Sequence, residues 1–499
     1  MTTIDGMTGT LEWVAPGKGD WRGLHDHFPR ALTPQYQRLL EQGMVHGEGR
    51  WFADYGLPVR TLQPAFVHGR VFVTADPLVG PATNRMPPAP ALWLALRVVP
   101  AFRRRSRAAR RAVADRRWLP ETEHWYAHER SDWERRNSAI DCVDPRALNE
   151  AELTDHVRAA LANAEEGYRE HFRLHGADLI PTGMYLARCA DWGISDMQAA
   201  ALLAGSSPAS RGDQVLPRWR LVTGYDLDER CAAELPERAP VATPGAVIDP
   251  AIEDAVRAQV PAADQPEFDQ LLADARATYG LRDDNGMLTG AWPVGLLRRA
   301  MVEYGRRLAQ RGELADAEHA VELTVDELLA GHTRDAVTRL AERRRLSAQL
   351  APAALGPPLE LPMRAAPPAM RRVLRAMLII RDVGFTPPGP REPLCGVGIG
   401  NESVVGRACV AGTPSEALAG FEPGDILVTV GTCPAWNAIL ALAGGIVTEE
   451  GGPLSHAAVI ARELGLPALV GAAEAVARVP DGATIELDPV AGRVTIRQS

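Results

Sequence analysis

Lysine is almost missing from this chain. Of 54 basic residues among 499, only Lys18 is a lysine, and the rest are arginines. A Walker-A phosphate loop needs a lysine within a glycine-rich turn, and an ATP-grasp nucleotide site is expected to use a lysine pair. Lys18 alone supplies neither, so phosphate chemistry here has to rely on a nucleotide site elsewhere. Long apolar runs are also missing. The two longest, residues 90–102 and 436–447, are too short to cross a bilayer. The first ten residues are polar, without the basic and apolar regions of a secretory signal, so the expectation is a cytoplasmic protein with no membrane partner. The six cysteines, at 142, 189, 231, 395, 409 and 433, include no CxxC pair. That excludes a zinc spacing and a disulfide framework, and no metal site is expected. A net charge of −9 argues against a general nucleic-acid surface.

What is present divides at about residue 394. Residues 66–73 read as strand, turn, strand around Gly69. Residues 91–118 read as helix and carry eight arginines between 103 and 117. Such a cluster reads first as a solvated face, and otherwise as a contact for an acidic partner subunit. Residues 148–205 are helical in pattern, with Asn149 or Thr154 as cap. Residues 232–250 read as an internal loop, and 264–279, 293–312 and 327–350 as helices. Proline then clusters at 351–368 and again at 386–393, which predicts a stiff linker over 351–393. Beyond it, residues 404–411, 425–430 and 484–487 read as strands, and 434–443 and 455–464 as helices, in a compact α/β domain over 394–499.

Chemistry concentrates in residues 444–471. A short strand, 446–448, leads into Gly451-Gly452, where small residues let backbone N–H groups approach a ligand. Ser455 is a plausible helix cap, which puts His456 in the first turn. A helix N-terminus favours anions and disfavours an imidazolium. A neutral imidazole there is a nucleophile, and a phosphoryl group on it would meet free N–H donors. Arg462, six residues on, falls on another face and is expected to act structurally or indirectly.

The segment resembles the mobile, or phosphohistidine, domain of the phosphoenolpyruvate-utilising enzymes, a family that includes phosphoenolpyruvate synthase, pyruvate phosphate dikinase and rifampicin phosphotransferase. The resemblance is carried by Thr448, Gly451, Gly452, Ser455, His456, Ala457, Ala458, Ala461, Arg462, Glu463, Gly465, Pro467 and Gly471. Thr432, Pro434 and Trp436 upstream, and Asp481-Gly482 and Gly492-Arg493-Val494 downstream, extend it. It implies that His456 is phosphorylated, that Thr448, Gly451, Gly452, Ser455 and Arg462 support the phosphate, and that the domain swivels between two sites. The first 393 residues are similar, more thinly, to the acceptor-binding region of rifampicin phosphotransferase, through residues 27–34, 297–300 and 323–328. There the resemblance suggests Arg298 as an acceptor-side basic residue. His25 and His27 are candidate bases for an acceptor hydroxyl. A second basic residue is expected one turn before Arg298, but Pro293 and Val294 occupy that place.

The fold expected is therefore multidomain. A mainly α acceptor-binding region with some β, residues 1–393, precedes an α/β swivelling phosphohistidine domain, residues 394–499. The expected function is phosphoryl transfer from His456 to a small-molecule hydroxyl. ATP and Mg2+ would be handled by a separate ATP-grasp subunit, since the family's own ATP-grasp domain and pyruvate barrel have no counterpart in these residues. Two alternatives remain: a phosphorylation-dependent dehydratase or lyase, and a non-catalytic regulatory protein.

Overall fold

The computed structural model describes residues 11–25, 28, 30–206, 250–347, 349, 351–360, 362–385, 394–433 and 436–497. His27, Pro434 and the expected loop over 232–249 lie outside the described residues.

The first region is helical around one long rod. In chain order it contains β1 (Trp21–Gly23), α1 (Pro34–Gln42), β2 (Val59–Val67), β3 (Arg70–Pro77), α2 (Ala89–Val98), α3 (Pro100–Ala114), α4 (Glu150–Asp191), α5 (Gln265–Asn285), α6 (Trp292–Gln310), α7 (Ala336–Ser347), β4 (Ala354–Leu355) and α8 (Pro368–Phe385). The rod is α4, with 42 residues and Pro181 inside it. Asn149 starts it with a reciprocal cap: the Glu152 N–H donates to Asn149 Oδ1 (3.0 Å) and the Asn149 N–H to Glu152 Oε2 (2.8 Å). One apolar cluster joins Leu153, Val157, Tyr168 and Phe172 of α4 to Leu39, Leu297 and Leu308. A second joins Leu174, Ile180, Tyr185 and Cys189 to Trp118, Trp125, Phe268, Met370 and Val373. The β2–β3 hairpin forms as the sequence predicts. His68 (φ 52°) and Gly69 (φ 76°) take the two left-handed positions of its turn.

Two expectations for this region are corrected. The helix predicted over 327–350 is broken, because Gly331 is left-handed (φ 74°) and ends one short helix (Val325–Leu329) before α7 begins. The Pro-rich stretch 351–393 is not a linker throughout. Its first part pairs β4 with β1, and Ala365, Ala366, Met370 and Val373 are buried in the second cluster. Proline content signalled a spacer, but the apolar residues between the prolines find partners.

The C-terminal region is a layered α/β unit, as expected. Its strands are β5 (Val397–Ile399), β6 (Val404–Val410), β7 (Ile426–Thr429), β8 (Gly445–Thr448), β9 (Ala468–Val470), β10 (Thr484–Asp488) and β11 (Arg493–Ile496). They form one sheet in the order β11-β10-β6-β7-β8-β9-β5. The β6-β7-β8-β9 core is parallel, and β10 and β5 join it antiparallel on either side. Central strands β7 and β8 are buried along their whole length, as a parallel sheet covered on both faces requires. Helix α9 (His456–Leu464) covers one face with Ala457, Ala458, Ile460 and Ala461.

Candidate phosphohistidine site

The site lies beyond the carboxyl ends of the parallel strands, where open α/β sheets place ligands. Register brings two loops together there. Thr429 pairs with Thr448 at the ends of β7 and β8. The Glu449 N–H donates to the Thr429 carbonyl (3.0 Å) and the Glu450 N–H to that of Val430 (2.8 Å), so the strands stay zipped past their ends. The loop after β7 delivers Thr432, and the loop after β8 delivers residues 451–455.

The local sequence explains the second loop. Thr448 is fully buried and its hydroxyl donates to the Glu450 carbonyl (2.7 Å), which turns the chain. Gly451 has φ 111°, and a Cβ there would stand 2.8 Å from Ser455 Cβ. Only glycine satisfies both conditions. The Ser455 N–H donates to the Gly452 carbonyl (2.9 Å), closing the turn into the helix. Ser455 caps α9 with extended backbone, accepting from the Ala458 N–H at 3.4 Å. Gly465, left-handed at φ 65°, ends α9.

His456 is therefore the first residue of α9 and is partly exposed. Its Nδ1 lies 2.9 Å from the Thr432 hydroxyl. That contact orients the ring. The sequence showed Thr432 only as part of a framework match; its spacing from His456 carried no signal of a contact. Arg462 braces the loop from behind, donating from Nη1 to the Pro453 and Ala458 carbonyls. Burial pulls Arg462 below the usual arginine range, with Tyr279 and Glu463 opposing.

The loop also meets the helical region. Leu454 belongs to the apolar cluster around α4 and α8. It lines a narrow cleft with Asp178, Leu179 and Thr182 of α4, Tyr279 and Arg282 of α5, and Ile380 of α8. Met287, just after α5, packs against the core of the C-terminal region. Arg70 of β3 faces Glu450 electrostatically; burial lowers the arginine and Glu450 offsets it. A roomier cavity of about 550 Å3 around Glu327, His332 and Arg339 includes no residue of the C-terminal region.

The acceptor-side candidates fall elsewhere. Arg298 is 1% exposed and ion-paired with Glu318. Helix α6 turns this side chain inward. Arg299 pairs with Asp141 at 2.6 Å. His25 Nε2 lies 2.9 Å from the Pro352 carbonyl, and its ring packs edge-on against Phe72. His25 thus sits at the small β1–β4 sheet, away from the residues that line the Leu454 cleft. In the arginine cluster, Arg103, Arg104, Arg107, Arg110 and Arg111 are exposed, while Arg116 and Arg117 pair with Asp274 and with Asp54 and Glu121. Among the described residues, no group of His, Cys, Asp and Glu could hold a metal ion, and no helix is long and apolar enough to cross a membrane.

Comparison with known proteins agrees with this geometry. Residues 421–492 match the family model described as PEP-utilising enzyme, mobile domain. The chain is 38% identical over 202 residues to rifampicin phosphotransferase of Streptomyces sviceus, covering 40% of this chain and 21% of that protein. It is 30% identical over 266 residues to chondramide synthase cmdD of Chondromyces crocatus, covering 49% of this chain and 6% of that protein. It is 46% identical over 89 residues to phosphoenolpyruvate synthase of Aeropyrum pernix, covering 18% of this chain and 11% of that protein. The matched stretches are thus minor fractions of these relatives. Residues 421–492 thus match the mobile domain of the PEP-utilising enzymes, and the chain is similar over part of its length to rifampicin phosphotransferase.

Proposed function

We propose that this chain is a phosphotransferase component. His456 takes a phosphoryl group from a separate ATP-grasp subunit that binds ATP and Mg2+, and passes it to a hydroxyl of a small molecule held by the helical region. The observation that carries this reading is the contact of Thr432 with His456 Nδ1, which fixes the ring at the start of α9. Thr448, Gly451, Gly452 and Ser455 shape the loop whose N–H groups would surround the phosphate. Arg462 acts on that loop rather than on the phosphate. Transfer of this kind depends on positioning and charge stabilisation more than on many reacting side chains. Similarity to rifampicin phosphotransferase supports transfer to a small molecule, and the near-absence of lysine supports an external nucleotide site.

The test is to incubate the chain with an ATP-grasp protein and labelled ATP. Acid-labile, base-stable label on the wild type and none on His456→Ala supports the reading. Label that persists on His456→Ala sinks it.

A further inference from the structure

One surface of the helical region carries charge that no described residue answers. Between Asp76 and Asp115 the sequence has no acidic residue and eight arginines, in a chain whose net charge is −9. Five of them, Arg103, Arg104, Arg107, Arg110 and Arg111, are exposed on α3. Spacings of three and four residues put Arg107 on one face with the other four. Like charges at that spacing repel each other and destabilise the helix. Just beyond, Arg116 and Arg117 pair with Asp274 and with Asp54 and Glu121. Among the described residues, none of the five exposed arginines meets a carboxylate. A row of repelling charges that persists in the fold points to an anionic partner that relieves it.

An apolar stripe adjoins the row. Helix α2 runs into α3 at Val99, and the two helices pack together. Trp93, Leu94 and Val98 of α2 are each about half exposed. Among the described residues, Trp93 is the one tryptophan and Leu94 the one leucine so exposed. The indole is held in place, because the Arg97 guanidinium lies over its ring at 4.0 Å. Arg97 Nη1 in turn donates to the carbonyls of Trp93 (2.9 Å) and Ala365 (2.8 Å). Tryptophan and arginine are the residue types that dominate the energetics of protein interfaces, and a side chain fixed in advance loses little freedom on binding.

We propose that the α2–α3 surface docks the phosphoryl-donor subunit, through an acidic face of that protein with an apolar pocket for Trp93. This assignment rests on the reading that a separate subunit phosphorylates His456. Each exposed guanidinium can take a carboxylate through two parallel N–H donors. The partner's carboxylates offset the repulsion along α3, while Trp93, Leu94 and Val98 leave water. Opposite potentials also steer the two proteins together, so their encounter slows as salt screens them. The surface is well placed for this task. Helix α3 packs against α8, whose Ile380 stands beside Leu454, two residues before His456. An anionic lipid surface is the competing occupant for paired cationic and apolar stripes. The donor subunit is favoured because the proposed reaction needs a second protein on this chain and needs no lipid.

The experiment uses the full chain and the ATP-grasp protein that labels wild-type His456 in the test above. Phosphoramidate, a small phosphoryl donor that needs no docking, is the control. Arg103→Glu, Arg107→Glu and Arg111→Glu are combined in one variant, and Trp93→Ala is a second. Each should raise the KM for the donor protein about tenfold or more, with kcat little changed. Both should take label from phosphoramidate at the wild-type rate, which a general loss of fold would not allow. The wild-type KM should climb with sodium chloride, and the charge-reversed variant should lose that dependence. Combining Arg103→Lys, Arg107→Lys and Arg111→Lys should recover most of the affinity.

A wild-type KM in the folded charge-reversed variant overturns the assignment. A second arm measures sedimentation with vesicles of phosphatidylcholine and phosphatidylserine. Binding of the wild type that the charge reversal abolishes, with the donor KM unchanged, assigns the surface to lipid and overturns the proposal. If no ATP-grasp protein labels the wild type while phosphoramidate does, the donor reading under the proposed function falls, and the docking assignment falls with it.

Discussion

The two regions of the chain are held together in different ways. The helical region ties long helices with arginine–carboxylate contacts: Arg130 to Asp284, Arg188 to Glu267, Arg299 to Asp141, and Arg343 to Glu322 deep inside. The mobile region relies on a parallel sheet of small and branched apolar residues, with glycines where loops approach closely. Ion pairs among its described residues include Arg407 to Asp425 and Arg497 to Glu486, neither with a buried arginine. Under the proposed function the difference would separate two tasks: a platform for an acceptor is held together by directional pairs between helices, and a carrier keeps the determinants of its site within its own fold.

The sharpest way to break this contrast is to remove a buried pair from the platform. Glu322 is 1% exposed, so Glu322→Ala removes its buried ion pair with Arg343 and should cost about 3–5 kcal/mol. The expected result in chemical denaturation is a lower midpoint for the helical region while His456 still labels. If labelling is lost in parallel, the two regions are not energetically separable.

A pH series sharpens the same contrast. Burial pushes the Glu48 carboxyl up to about 8, against an opposing hydrogen bond from the Leu62 backbone. A raised acid pKa means that the folded state binds the proton more tightly than the unfolded chain does. Its contribution to stability is therefore greatest in acid, and stability falls as pH rises from the ordinary glutamate range towards 8, by about 1.4 kcal/mol for each unit of difference. Glu48→Gln should remove that slope from the helical region's transition. An unchanged slope would show that another group titrates there.

On the carrier side the effects are smaller and local. Gly451→Ala forces a side chain into φ 111° and against Ser455, at a cost of about 1–3 kcal/mol. His456 labelling should fall sharply with little change in the sheet's melting. Thr432→Val keeps the volume and removes the hydroxyl, which should slow labelling about tenfold, roughly the effect of one hydrogen bond. Thr432→Ser should restore most of it.

The same contrast explains what the sequence could reveal. Thr448, Gly451, Gly452, Ser455 and His456 lie on one stretch of chain whose turn, cap and helix start have short-range signatures. Strands β6, β7, β8 and β10 are legible for a similar reason, since each is a short apolar run bounded by glycine or proline. Thr432 meets His456 only because β7 and β8 are adjacent and in register, which is a property of the sheet. For Arg298, periodicity located its helix, but its inward side chain is met by Glu318, from the turn after α6. Proline content over 351–368 misled in the opposite direction, because composition does not report whether the residues between prolines have somewhere to pack.

Helix α4 has one further consequence. Its N-terminal half, up to Phe172, lies in one apolar cluster, and its C-terminal half, from Leu174, in the other. Neither cluster can dissolve without fraying the rod they share. The platform should therefore open as a single cooperative unit, with the amides in the middle of α4 among the slowest to exchange with solvent.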